Sequence, residues 1–91
     1  IISTKQYRKS YKKLEKSGAD ITKLERVIDL LAAGQELPSA YRDHLLTGGS
    51  LHGTRECHIG PDWLLLYVKR DKELVLVLIN TGTHRDTLGM E

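Results

Sequence analysis

The apolar residues of this chain change their spacing once, and that change constrains the fold more than any other feature. Tyr7, Tyr11 and Leu14 recur at i, i+4 and i+7, and Leu24, Val27, Ile28 and Leu31 continue the helical period. From residue 54 the pattern becomes strand-like, in runs from Thr54 to Ile59, Leu64 to Lys69 and Leu74 to Asn80. A first helix is expected over residues 4–17, stopped by Gly18. A second runs from Asp20, whose carboxylate is placed to cap it, to Gly34, and the two form an antiparallel hairpin. Gly60-Pro61-Asp62 and Arg70-Asp71-Lys72-Glu73 supply the reversals that let consecutive strands pair antiparallel, and Ile1-Ile2 offers a short edge strand. The expected class is α+β: two N-terminal helices in an antiparallel hairpin, packed on a small antiparallel sheet of three to four strands. With 91 residues, one domain over 1–91 is expected.

Between the two halves, residues 35–54 hold Pro38, Gly48-Gly49-Ser50 and Gly53 and keep neither period. A connection of that length without regular structure is uncommon and often functional. His44 and His52 lie inside it.

Composition removes several classes of function. No apolar run exceeds six residues, so a membrane-spanning helix is not expected. The opening Ile1-Ile2-Ser3-Thr4-Lys5 has no basic region followed by an apolar stretch, and Cys57 stands alone, so the chain reads as cytoplasmic. There is no phosphate-cradling Gly-rich loop ending in Lys-Ser or Lys-Thr, and no Gly-x-Ser-x-Gly elbow. The histidines, His44, His52, His58 and His84, are too widely spaced for a zinc set, so neither a metal nor a cofactor is expected.

Charge is unevenly placed. Lys5, Arg8, Lys9, Lys12, Lys13 and Lys16 face Glu15 alone in the first 16 residues, a net of +5, and the remainder carries −3. A basic helix on a nearly neutral body suggests a polyanionic partner, although a lysine-rich solvated face is the ordinary alternative.

Chemistry is expected where strands end. His58 closes the first strand, Asp62 sits in the following turn with Trp63 after it, and His84 follows the last strand in Thr81-Gly82-Thr83-His84. Because the first and third strands of an antiparallel meander end on the same side, His58, Asp62 and His84 should converge at one rim. Two imidazoles and a carboxylate suit acid–base chemistry near neutral pH. RNA cleavage asks for little more: a base for the 2′-hydroxyl, an acid for the 5′-oxygen, and cations for the phosphoryl charge. Arg55 is a candidate for that charge and Trp63 for base stacking. Each residue also has a plain reading: a core tryptophan, surface histidines, a turn aspartate, and an arginine paired with Glu56 or Asp43. In a regular strand Cys57 faces away from His58.

At these residues the sequence resembles the RelE superfamily of bacterial type II toxins, and within it the YafQ-like branch. The resemblance is carried by Tyr41-Arg42-Asp43-His44-Leu45-Leu46, by Gly53-Thr54-Arg55-Glu56-Cys57-His58-Ile59-Gly60-Pro61-Asp62-Trp63-Leu64-Leu65-Leu66-Tyr67, and by Thr81-Gly82-Thr83-His84. It implies a RelE-like microbial RNase fold and metal-independent endonucleolytic cleavage of mRNA in the ribosomal A site. His44, His58, Asp62 and His84 fall on the family's active-site positions: His44 or His58 as base, His84 as acid, Asp62 orienting them or sharing protons. Lys5, Lys9, Lys12, Lys13 and Lys16 would lie against RNA of the 70S ribosome, with Arg55 and Trp63 on the mRNA. The implied partner is a cognate DinJ-like antitoxin of the ribbon-helix-helix type, through which alone operator DNA would be met.

The sequence departs from the family pattern in three places. Asn80 stands where arginine is common, Leu88 where an aromatic follows the last histidine, and Leu51 where tryptophan is frequent. Leu51 bears on packing, whereas Asn80 and Leu88 support an alternative, a weak or inactive toxin-like module that binds its antitoxin and helps regulate its operon.

Overall fold

The computed structural model describes residues 1–47, 49, 53–70 and 75–83. His84, His52, Leu51 and Leu88 lie outside the described residues, as do the turn residues Asp71, Lys72 and Glu73.

The chain enters the sheet at once. Ile2–Ser3 form β1, and Thr4 then starts α1, Lys5–Lys16, by accepting the Tyr7 N–H on its hydroxyl oxygen at 3.0 Å. The same hydroxyl donates to the Ile79 carbonyl at 2.5 Å, so the helix cap is also a tether to the sheet. Helix α1 stops at Gly18, where φ is +86° and the Ala19 N–H reaches back to the Leu14 carbonyl at 3.1 Å, and only glycine adopts such a φ without strain. Helix α2 spans Ile21–Ala32 and buries the expected stripe of Leu24, Val27, Ile28 and Leu31. Asp20 holds the capping position, but its carboxylate accepts from the Thr22 hydroxyl rather than from a backbone N–H.

The irregular stretch expected over residues 35–54 contains two short pieces of structure. A 3₁₀ turn at Ser39–Tyr41 leads through Arg42 (φ 52°) into a two-residue strand, β2, at His44–Leu45. Strands β3 (Arg55–Gly60), β4 (Trp63–Arg70) and β5 (Val75–Gly82) follow within two residues of the expected positions. The sheet order is β1-β5-β4-β3-β2, and every pairing is antiparallel except β1 with β5. Among the described residues the sheet therefore has five strands and mixed direction, where three to four antiparallel strands were expected. The edge strand offered at Ile1-Ile2 is present one residue on as β1, though parallel, and β2 is the addition; at two residues each, both are too short to display an alternation.

The helix hairpin packs on one sheet face. Tyr7, Leu24, Val27, Ile28 and Leu31 meet Cys57, Ile59, Leu65, Tyr67, Leu76 and Leu78. Leu64 and Leu66 alternate to the other face and are buried too, giving β4 the continuous apolar run of a strand buried on both sides. Cys57 lies in the helix-side core, on the face opposite His58, as its position in the strand implied. Burial, reinforced by the negative charges of Asp43 and Glu56, pushes its thiol up from 9.0 to about 12. Burial and nearby Tyr11 likewise push the Tyr7 phenol up from 10.0 to about 12.

Two outcomes follow. Thr4→Ala removes both cap and tether and should cost about 1–2 kcal/mol, read as a lower urea midpoint at unchanged slope. The folded chain also keeps protons on Cys57 and Tyr7 that the unfolded chain releases from about pH 9. Stability should therefore be full below pH 9 and decline as pH rises toward about 12. In thermal melts, Cys57→Ala should show a shallower alkaline decline, and a flat profile for the parent protein would contradict the assignment.

Candidate active site

Backbone register assembles the site. His44 in β2 pairs with Glu56 in β3, and His58 follows Glu56 by two residues, so all three side chains share one sheet face. A single carboxylate oxygen, Glu56 Oε1, lies 3.4 Å from His44 Nε2 and 3.2 Å from His58 Nε2. The two imidazole rings sit 6.4 Å apart. Exposure is graded across the trio, with side-chain values of 6% for Glu56, 19% for His58 and 49% for His44. The carboxylate is thus sealed beneath two rings that reach solvent.

Hydrogen bonding fixes one proton. His44 Nδ1 lies 2.7 Å from the Arg42 carbonyl oxygen, which can only accept, so Nδ1 carries its hydrogen. Nε2 is then the nitrogen left to take up a proton, and Glu56 Oε1 stands next to the imidazolium that results. With Glu56 Oε1 shared between them, the two imidazoles form a group that can hold and pass a proton.

The other expected residues are placed less uniformly. Asp62 is exposed in the turn between β3 and β4. Strand β5 ends at Gly82, opposite Leu64, which is itself opposite His58, so the third strand does finish at the rim of the first. His84, two residues beyond Gly82, lies outside the described residues. Trp63 is half-buried; its ring packs against the helix-side core and its indole N–H donates to Thr81 Oγ1 at 3.0 Å. Arg55 is three residues before His58 and so on the opposite face, where it pairs with Asp43 at 3.2 Å.

Lys5, Lys9, Lys12, Lys13 and Lys16 are all exposed on α1. Lys9 and Lys13 line a 470 Å³ groove closed by Thr81, Gly82 and Thr83 at the end of β5. Lys12 belongs instead to a 350 Å³ groove between the helices, shared with Arg8, Glu25 and Asp29.

Glu56 was not among the site residues expected from the sequence. Its spacing from His58 was a usable signal; the pairing of β2 that brings His44 to it was not. Among the described residues no group of three or more His, Cys, Asp or Glu is arranged to hold a metal ion. None of their helices is long and apolar enough to cross a membrane.

The family model for the bacterial toxin of type II toxin–antitoxin systems, YafQ, matches residues 1–89. The chain belongs to the YafQ family. It is 40% identical over 85 residues to the mRNA interferase toxin YafQ of Escherichia coli K12, covering 92% of this chain and 89% of that protein. Its fold is similar to the toxin in the crystal structure of the E. coli DinJ–YafQ complex, with a TM-score of 0.87 and 37% identity over 98% of this chain and 97% of that one. A metal-bound toxin from Helicobacter pylori is also similar, with a TM-score of 0.86 and 39% identity over 96% of each chain. The α+β class expected from the sequence agrees with the fold shared with these structures.

Long-range ¹H–¹⁵N correlation should find His44 as the Nδ1–H tautomer whenever it is neutral. An Nε2–H pattern would remove the Arg42 contact and the role it gives Nε2.

Proposed function

We propose that this chain is the toxin of a type II toxin–antitoxin pair and an endoribonuclease that cuts mRNA on the ribosome, inhibiting translation. The observation that carries the reading is the one carboxylate shared by two solvent-reaching imidazoles at a sheet edge, in a chain of the YafQ family. His44 or His58 takes the 2′-hydroxyl proton, and the freed oxygen attacks the adjacent phosphorus. His84 protonates the departing 5′-oxygen, Asp62 orients the histidines or shares their protons, and Glu56 steadies the imidazolium formed on the base. The part of Trp63 left exposed beside Asp62 offers a surface for base stacking. The α1 lysines, Lys9 and Lys13 nearest the end of β5, attract the RNA of the 70S ribosome and its message. Neither metal nor cofactor takes part.

The partner proposed for this chain is an antitoxin of the DinJ kind, as in the E. coli DinJ–YafQ complex, with operator DNA reached only through it.

Primer extension on a defined mRNA, with programmed 70S ribosomes and a ribosome-free control, tests the reading. Cuts are expected inside A-site codons, only with ribosomes, and slower by about 10²–10⁴-fold in His58→Gln. Cutting without ribosomes would overturn ribosome dependence. Protein that binds its antitoxin but cuts in neither lane would establish the non-catalytic, autoregulatory module instead.

A further inference from the structure

Asp43 and His44 are neighbours in the chain but face opposite sides of the sheet. His44 is opposite Glu56 in the ladder and meets its carboxylate on one face. Asp43 turns to the other face, where its carboxylate receives three hydrogen bonds. Arg55 donates from Nε to Oδ1 at 3.3 Å and from Nη2 to Oδ2 at 3.2 Å, and the Tyr67 hydroxyl donates to Oδ1 at 2.5 Å. Arg55 and Tyr67 are themselves opposite each other in the β3–β4 ladder. The network thus ties the residue before His44 across β3 to the central strand of the sheet, where Tyr67 is completely buried.

His44 has ring contacts to the Arg42 carbonyl and to Glu56, but the strand that carries it is short. Its strand has two residues, lies at the sheet edge and pairs only with β3. The residue two before it, Arg42, has a φ of 52°, so the chain enters β2 through a left-handed turn that guides nothing by regular structure. The ring is half exposed. A paired, two-pronged arginine contact constrains direction as well as distance, and a hydroxyl from a buried ring fixes the remaining freedom of the carboxylate.

We infer that Asp43, Arg55 and Tyr67 form a clamp on the helix-side face that sets the position of His44 against Glu56 on the other. Arg55 is then a positioning residue acting through Asp43, rather than a group that touches RNA. The inference rests on the reading of His44 as a participant in proton transfer. It adds three residues to the machinery, none of which reaches the reacting atoms.

Tyr67→Phe keeps the buried ring and removes one prong. In ribosome-dependent cleavage, kcat should fall about tenfold while KM stays within about twofold, because slight misplacement of a catalytic group costs rate rather than binding. The same substitution in a His44→Gln background should cause no further loss. Asp43→Asn, which keeps the shape but not the charge, should behave alike. Equal losses in both backgrounds would mean that the network acts through the fold at large, and unchanged kcat in both variants would dismiss the clamp.

A readout independent of cleavage separates this inference from the reading beneath it. In Tyr67→Phe and Asp43→Asn the His44 ring resonances should move and lose the clean Nδ1–H pattern, while those of His58 hold. If His44→Gln cuts at the full rate, the proton-transfer reading of His44 fails. The ring spectra then decide the clamp: displaced His44 signals uphold it, and undisturbed ones overturn it.

Discussion

Everything in this small sheet depends on β4 being apolar on both faces. Leu65 and Tyr67 point into the helix core while Leu64 and Leu66 point the other way, and all four are almost fully excluded from water. A central strand of that kind fixes its register on both sides, since a one-residue slip would exchange two well-filled faces. Once β4 is fixed, β3 can pair with it only so that Cys57 and Ile59 face the helices and Glu56 and His58 face away. The division between packing and chemistry is thus made by alternation in β3, one residue for each.

The proposed chemistry sits toward the edge of that sheet, which creates a conflict. Edge strands in small domains are kept short because a long unpaired edge invites pairing with other chains, and β1 and β2 have only two residues each. A short edge is a poor platform for a catalytic histidine. Anchoring to the middle of the sheet resolves the conflict for β2 through Asp43, Arg55 and Tyr67. At the opposite edge Thr4 does the same for β1, fastening the start of α1 to the Ile79 carbonyl. Both edges borrow rigidity from the strands inside them.

What the sequence revealed follows from element length. The helix stripes and the strands β3, β4 and β5 span enough residues to show a period, and the placement of Cys57 on the face opposite His58 follows from them. Strands β1 and β2 have no period to show, so the parallel pairing and the meeting of His44 with Glu56 needed the structure. Arg55 is a different case. Its odd spacing from His58 already implied the opposite face, and its pairing with Asp43 was among the plain readings of the sequence. Proximity in the chain had suggested a shared site, and strand geometry overrules proximity. Thr4 and Asp20 show the same priority of tertiary over local structure: Thr4 was expected inside the helix and caps it from the sheet, while Asp20 has the capping position without the capping bond.

Asn80, which looked like a missing charge, has a structural task. Its Oδ1 accepts from the Ser10 hydroxyl at 2.7 Å and from the Thr81 N–H at 2.9 Å, binding the middle of α1 to β5. With Thr4 fixing the start of the helix and Asn80 its middle, the basic residues of α1 are divided by geometry. Arg8 and Lys12 share a groove with Glu25 and Asp29, whose opposite charges weaken their outward field. Lys9 and Lys13 flank the end of β5, where the groove is lined mainly by hydroxyl-bearing residues and includes no carboxylate among the described residues. The net charge of the helix therefore overstates its reach on one side and describes it fairly on the other. The better-preserved field lies beside the end of β5, and the residue in the arginine's place helps hold the two lysines there.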